Sequence, residues 1–141
     1  MSPPTPFSAA AEHLDASAAA SREAVQEALQ GSTSSFGAQA AYLNLNNFAT
    51  YAGSEGLSQA QEAVDQLRAS ASKSKAISTL STVRSALTQL NDVASYWRPF
   101  ALASRGNPAI IASAIRELSS EVGAFARASS DAARQLRTLG S

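Results

Sequence analysis

The residues that could do chemistry in this sequence are few, and they are not spaced as catalytic or metal sites require. His13 is the only histidine and cysteine is absent, which argues against a zinc site built from three or four Cys and His ligands. Two glutamate pairs, Glu23 with Glu27 and Glu117 with Glu121, stand one helical turn apart. Neither pair has the histidine three residues on that di-iron bundles use. We expect both pairs to lie on solvated helix faces.

The segment Ser72-Lys73-Ser74-Lys75 contains the residue types of a Ser–Lys dyad. Such dyads depend on burial and geometry rather than on adjacency, so we interpret the segment as a polar joint between helices. Gly53-Ser54-Glu55-Gly56 lacks the Lys and Ser or Thr that complete a phosphate-binding loop. The sequence therefore predicts no enzyme, no cofactor and no metal.

Helices must position these residues, because the composition favours helix almost throughout. The chain has 31 Ala and 23 Ser, and alanine is the strongest helix former. No apolar run approaches the roughly 18 residues that span a bilayer, and the first residues lack the basic and apolar regions of a signal peptide. We expect a cytoplasmic protein with an extended arm over residues 1–7 and one helical-bundle domain over residues 8–140.

Glycine and proline positions divide this domain into helices near residues 8–30, 33–52, 58–72, 74–104 and 108–139. Ser58 and Gln61 form a capping-box pattern that predicts the start of the third helix, and its continuity with the fourth is left open. Pro99 is predicted to kink or break the fourth helix near residues 95–98. Asn107 is predicted to cap the fifth. The predicted fold class is all-α, a bundle of four to five long antiparallel helices with coiled-coil-like seams.

The fifth helix has the most regular apolar pattern, a heptad seam of about 30 residues in 4-3-4-3 spacing. The second helix is apolar around much of its girth, which suggests a central place or a covering partner. Tyr96-Trp97-Arg98-Pro99-Phe100 is the densest aromatic cluster, either a plug at the end of the bundle or an interface anchor. We predict self-association or partner binding through Phe36, Tyr42, Phe48, Tyr51, Trp97, Phe100, Ile111, Ile115, Leu118, Val122, Phe125 and Leu136.

The charges balance overall but are segregated along the chain. Residues 1–67 hold seven acids and one base, whereas residues 68–141 hold four acids and ten bases. This asymmetry predicts that the two halves meet, within one chain or head to tail between chains, although drift in composition is an open alternative. Four arginines, here called the Arg stripe, lie opposite the seam of the fifth helix: Arg116, Arg127, Arg134 and Arg137. We interpret the Arg stripe either as a solvated helix face or as a surface that contacts an anion.

The sequence resembles the phasins, small helical proteins that coat polyhydroxyalkanoate granules in bacteria. The resemblance covers roughly residues 6–105 and is largely compositional. It begins with Pro6-Phe7-Ser8-Ala9-Ala10, passes through Leu43-Asn44-Leu45 and ends at Ala94-Ser95-Tyr96. Between these segments the Ala-rich amphipathic helices carry Leu67, Ile77, Leu80 and Leu87.

The resemblance implies a non-catalytic protein that lays amphipathic helices on an apolar intracellular inclusion, as such helices do on lipid. Partners would then be other copies of the chain and an apolar polymer or lipid surface. The alternative is a structural subunit of a large assembly, such as a coat, a filament or a multi-subunit complex. In that case the Arg stripe would contact nucleic acid or a neighbouring acidic subunit.

Overall fold

A computed structural model of the chain describes residues 5–31, 35–103 and 107–139. Over these ranges no strand occurs, which confirms the all-α fold class. The elements are α1 (Pro6–Gly31), α2 (Ser35–Thr50), a 3₁₀ turn (Ala52–Ser54), α3 (Glu55–Asp65), α4 (Ala71–Ala103) and α5 (Pro108–Leu139).

Helix α1 begins earlier than the sequence suggested. The Thr5 hydroxyl oxygen accepts a hydrogen bond from the backbone N–H of Ser8 at 3.0 Å, so Thr5 is the N-cap and Pro6 the first helical residue. The predicted arm over residues 1–7 is therefore wrong at its end, because Pro6 and Phe7 are helical. Residues 1–4 of that arm lie outside the described residues.

Helices α3 and α4 are separate, and the joint between them is held by Lys73. Its ammonium group donates to the backbone carbonyls of Asp65 at 3.2 Å and Leu67 at 2.8 Å. The backbone N–H of Lys73 donates to the Ser70 hydroxyl oxygen at 3.0 Å. The lysine thereby supplies donors to carbonyls left free where α3 ends. The joint itself is residues 66–70, whereas residues 72–75 are helical at the start of α4, so the predicted position of the joint is wrong. Since α3 already begins at Glu55, the predicted start at Ser58 is wrong.

Helix α4 continues through Pro99 to Ala103, so of the predicted kink or break the break is wrong, and the kink stays a prediction. Proline removes one backbone hydrogen bond, but two side chains just before it tie this turn to neighbouring helices. The Trp97 indole N–H donates to a carboxylate oxygen of Glu117 at 2.8 Å, and Arg98 donates to the Thr50 hydroxyl at 3.0 Å. These tertiary contacts favour the helical conformation where the local sequence opposes it.

Helix α5 begins as predicted at an asparagine cap. The side-chain oxygen of Asn107 accepts a hydrogen bond from the backbone N–H of Ala109 at 3.0 Å. The backbone carbonyl of Asn107 accepts one from the backbone N–H of Ile111 at 3.0 Å. The buried face of α5 packs against α1, α4 and α2, and contacts α1 most extensively. Every seam position from Ile111 to Leu136 is buried.

The core is lean because about half of its buried apolar residues are alanine. In α1 the only large buried side chain is Leu14, and the rest of the buried face is Ala and Ser. Small side chains allow neighbouring backbones to approach closely. The closest approach is at Gly56 in α3, where an added Cβ would lie 2.7 Å from the His13 carbonyl oxygen and 2.7 Å from the Ser17 Cβ.

We predict that Gly56→Ala lowers the free energy of unfolding by about 1–3 kcal/mol, because the backbone of α1 cannot yield easily to the added methyl. The matched control is Gly123→Ala in α5, where the methyl would meet only the Arg127 guanidinium at 3.7 Å. That variant should gain about 1 kcal/mol from helix propensity. Urea unfolding followed by circular dichroism measures both. Equal effects of the two substitutions would contradict the close α1–α3 packing.

Candidate interaction surfaces

The apolar residues predicted to bind a partner mostly lie inside the chain's own core. All six predicted α5 residues are at most 4% exposed, and Tyr42 of α2 is 2% exposed. Their contact with another copy stays a prediction that requires helices to separate. The side chain of Phe36 lies outside the described residues. Phe48 is partly buried, and the exposed predicted residues are Tyr51, at 73%, and Phe100, at 47%.

An aromatic patch, defined as Tyr96, Trp97 and Phe100, lies on the outer face of α4. The ring centroid of Tyr96 is 5.3 Å from that of Trp97 and 5.2 Å from that of Phe100. Tyr96 and Phe100 are one turn apart and exposed, while Trp97 turns toward α5 and binds Glu117. Edge-on and tilted ring contacts at these distances are favourable, so the patch is a preformed apolar surface.

Tyr96 was missing from the residues predicted to bind a partner, although it lies at the centre of the patch. The signal that could have found it is its spacing of four residues from Phe100, which places both rings on one helix face. Among the described residues, three further exposed large apolar residues are not in the predicted set, namely Leu29, Leu43 and Ile77.

A small cavity between α2 and α4, with a volume of about 310 Å³, is lined by Arg98 and by several α2 residues. Arg98 donates to the Thr50 hydroxyl and, at 3.5 Å, to the Asn46 side-chain oxygen. Beside it, burial raises the pKa of the Tyr42 hydroxyl, and the positive charge of Arg98 partly opposes that shift. Within the described part of the chain, the Tyr42 hydroxyl has no hydrogen-bond partner. Arg98 thus fastens the end of α2 to α4.

An acidic cleft, defined by Glu23 and Glu27 of α1 together with Phe48 and Tyr51, runs between α1 and α2. Its volume is about 590 Å³. Both glutamates are exposed, and in the described ranges neither forms an ion pair. Two carboxylates beside two aromatic rings make a favourable environment for an organic cation, because the ring faces are electron-rich. The sequence predicts Glu23 and Glu27 on a solvated helix face, but it does not predict that Phe48 and Tyr51 lie beside them.

The four arginines of the Arg stripe divide into two kinds. Arg137 forms an ion pair with Asp15 of α1 at 2.6 Å, and Arg134 forms one with Asp131 of its own helix at 3.1 Å. Arg116 and Arg127 are exposed and make no ion pair with any residue that the structure describes. The Arg137–Asp15 pair joins the basic half of the sequence to the acidic half within one chain.

The described ranges contain no group of three or more His, Cys, Asp or Glu side chains that could hold a metal ion. In the same ranges no helix is long and apolar enough to cross a membrane. Comparisons with protein-family models, with curated proteins and with solved structures found no match. The surfaces described above are therefore the basis for any functional proposal.

We predict that Tyr42→Phe raises the free energy of unfolding at neutral pH by about 1 kcal/mol, because it removes a buried hydroxyl without a partner. Because burial raises the pKa of the Tyr42 hydroxyl above its ordinary value of 10.0, its ionisation is less favourable in the folded than in the unfolded chain, so folding stability falls as the pH rises through 10.0. The variant should therefore lose less stability between about pH 9 and pH 11 than the unmodified protein.

Urea titrations at several pH values measure this effect. Tyr51→Phe is the control, because that ring is exposed and should leave the neutral-pH stability unchanged. A loss of stability in Tyr42→Phe would show that the hydroxyl does have a partner.

Proposed function

We propose that the protein is a non-catalytic structural protein that coats an apolar inclusion inside the cell, as its resemblance to the phasins implies. The observation that carries this proposal is the aromatic patch, in which Tyr96 is 58% and Phe100 47% exposed. The two rings form one contiguous apolar surface, on which an apolar phase can bind. Tyrosine and tryptophan also suit a boundary between an apolar phase and water, because each ring carries one polar group.

The lean core supports a second step after the patch has bound. The fully buried face of helix α1 has many small side chains and one large one, Leu14, with Phe7 and Val25 partly buried beside it. Each buried methyl stabilises by only about 0.8 kcal/mol, so separating α1 costs less than separating a leucine-rich helix. Separation would uncover the seam of α5, including Val122 and Phe125. That face could then spread on the surface as an interfacial helix does.

We also propose that the long helices pack antiparallel along the α5 seam. Two side-chain contacts between α1 and α5 support this arrangement. Asp15 pairs with Arg137, and Arg22 donates to the hydroxyl of Ser130 at 3.0 Å. Residue numbers therefore rise along α1 as they fall along α5.

A binding assay with polyhydroxybutyrate granules or neutral-lipid droplets tests the coat. We predict that Tyr96→Ser combined with Phe100→Ser reduces the fraction of bound protein by about tenfold when the granule surface is limiting. Burial of each ring against the surface should contribute roughly 1 kcal/mol or more to the free energy of binding. Ile77→Ser is the matched control, because Ile77 is 49% exposed on the same helix but about 30 Å away. Sedimentation or flotation measures the bound protein. A wild-type chain that stays with the aqueous fraction in both assays contradicts the coat.

The second candidate is a structural subunit of a large assembly, and the observation that favours it is the outward, unpaired position of Arg116 and Arg127. In such an assembly the Arg stripe would contact nucleic acid or an acidic neighbouring subunit. We predict filaments or regular particles in electron micrographs of the purified protein at low salt, alone or with added nucleic acid. Dispersed small particles under every one of these conditions would contradict this candidate.

A further inference from the structure

The acidic cleft is built for a guanidinium group. Glu23 and Glu27 are one turn apart on α1, which places both carboxylates on the same rim. Phe48 and Tyr51 of the opposite wall present aromatic rings, and Tyr51 is 73% exposed. A planar guanidinium can stack on such a ring while its N–H groups donate to a carboxylate, whereas a compact ammonium does less well on both counts.

The chain itself carries guanidinium groups without partners. Arg116 and Arg127 are exposed on α5 and make no ion pair in the described part of the chain. They are 11 residues apart, so they lie on the same face of α5 about 16 Å from each other. Arg134 and Arg137, by contrast, are already paired with Asp131 and Asp15.

Arg116 and Arg127 form no ion pair with Glu23 or Glu27 of their own molecule. They lie on the side of α5 opposite its buried seam, and the seam is the side that packs against α1 and α2. Of the stripe, Arg137 is the arginine that pairs with a carboxylate of α1 in the described ranges, and its partner is Asp15, outside the cleft. Because Arg116 and Arg127 do not pair with the cleft within the chain, a contact between these two surfaces joins two molecules.

We propose that the acidic cleft of one copy binds Arg116 and Arg127 of a second copy, so that the chains associate head to tail. Charge complementarity carries the choice of partner, because the excess acid of residues 1–67 and the excess base of residues 68–141 are equal and opposite. A heterologous contact of this kind leaves one free cleft and one free stripe at the ends of every oligomer that does not close into a ring. Copies therefore add in a row, which would cover a surface continuously.

This contact extends the proposed coat by stating how neighbouring copies join, but it forms in solution and is measured there. A chain that fails to bind granules can still associate, and a chain that binds granules can still be monomeric. The failure of the coat and the failure of this contact are therefore distinguishable.

Sedimentation-velocity centrifugation of the whole chain provides the test. Exposed ion pairs form weak contacts, so we expect a Kd on the order of 100 µM at about 25 mM salt, weakening about tenfold at about 300 mM. Glu23→Arg combined with Glu27→Arg should weaken association at least about tenfold, and so should Arg116→Glu combined with Arg127→Glu. An equimolar mixture of these two double variants should associate again, because the native stripe of the first meets the native cleft of the second.

Two controls match the change in charge. Arg68→Glu with Arg84→Glu alters exposed bases elsewhere, and Glu62→Arg with Asp92→Arg alters exposed acids elsewhere. Both should leave the Kd within about twofold of the unmodified value. If a reversal lowers the helix content, the neutral pair Glu23→Gln with Glu27→Gln replaces it and should weaken association about threefold or more.

A wild-type chain that is monomeric at low salt and high concentration overturns the proposal. It is also overturned by reversals that leave association unchanged, by controls that weaken it equally, or by a mixture of the two variants that stays monomeric.

Discussion

Burial of the apolar face of α5 is the interaction on which the other helices depend. That face runs from Ile111 to Leu136 and is contacted by α1, α4 and α2. The largest fully buried side chains on it are Phe125, Ile111, Leu118 and Leu136. The remaining long helix, α1, adds mostly Ala and Ser to this contact. The bundle is thus organised around one strongly amphipathic helix, with α1 held by close backbone approach rather than by bulky side chains.

The existence of the helices could be predicted from the sequence, because alanine content and a 3.5-residue period are local signals. The cap at Asn107 was predictable for the same reason. The course of α4 through Pro99 was not, since Trp97 and Arg98 hold that turn through contacts with Glu117 and Thr50 that are distant in sequence. Local propensity is routinely overridden by tertiary contacts of this kind.

The candidate surfaces were predictable only in part. Periodicity shows that Leu118 and Val122 face something apolar, but it does not say whether that surface belongs to the same chain or to another. The structure places both in the chain's own core. The aromatic patch was visible as a cluster in the sequence, whereas the acidic cleft was not. The cleft arises because Tyr51, just after α2, comes to lie beside Glu23 and Glu27. These residues are distant in sequence and meet only because α2 folds back against α1.

The position of Trp97 gives the molecule an intrinsic optical reporter. It is the only tryptophan of the chain, it belongs to the aromatic patch, and its indole N–H is bound to Glu117 of α5. Its fluorescence emission therefore senses the polarity at the patch and the α4–α5 contact at the same time. The Ala-rich contact of α1 with α5 is spectrally silent by comparison, so detachment of that helix would need an added chromophore to be observed.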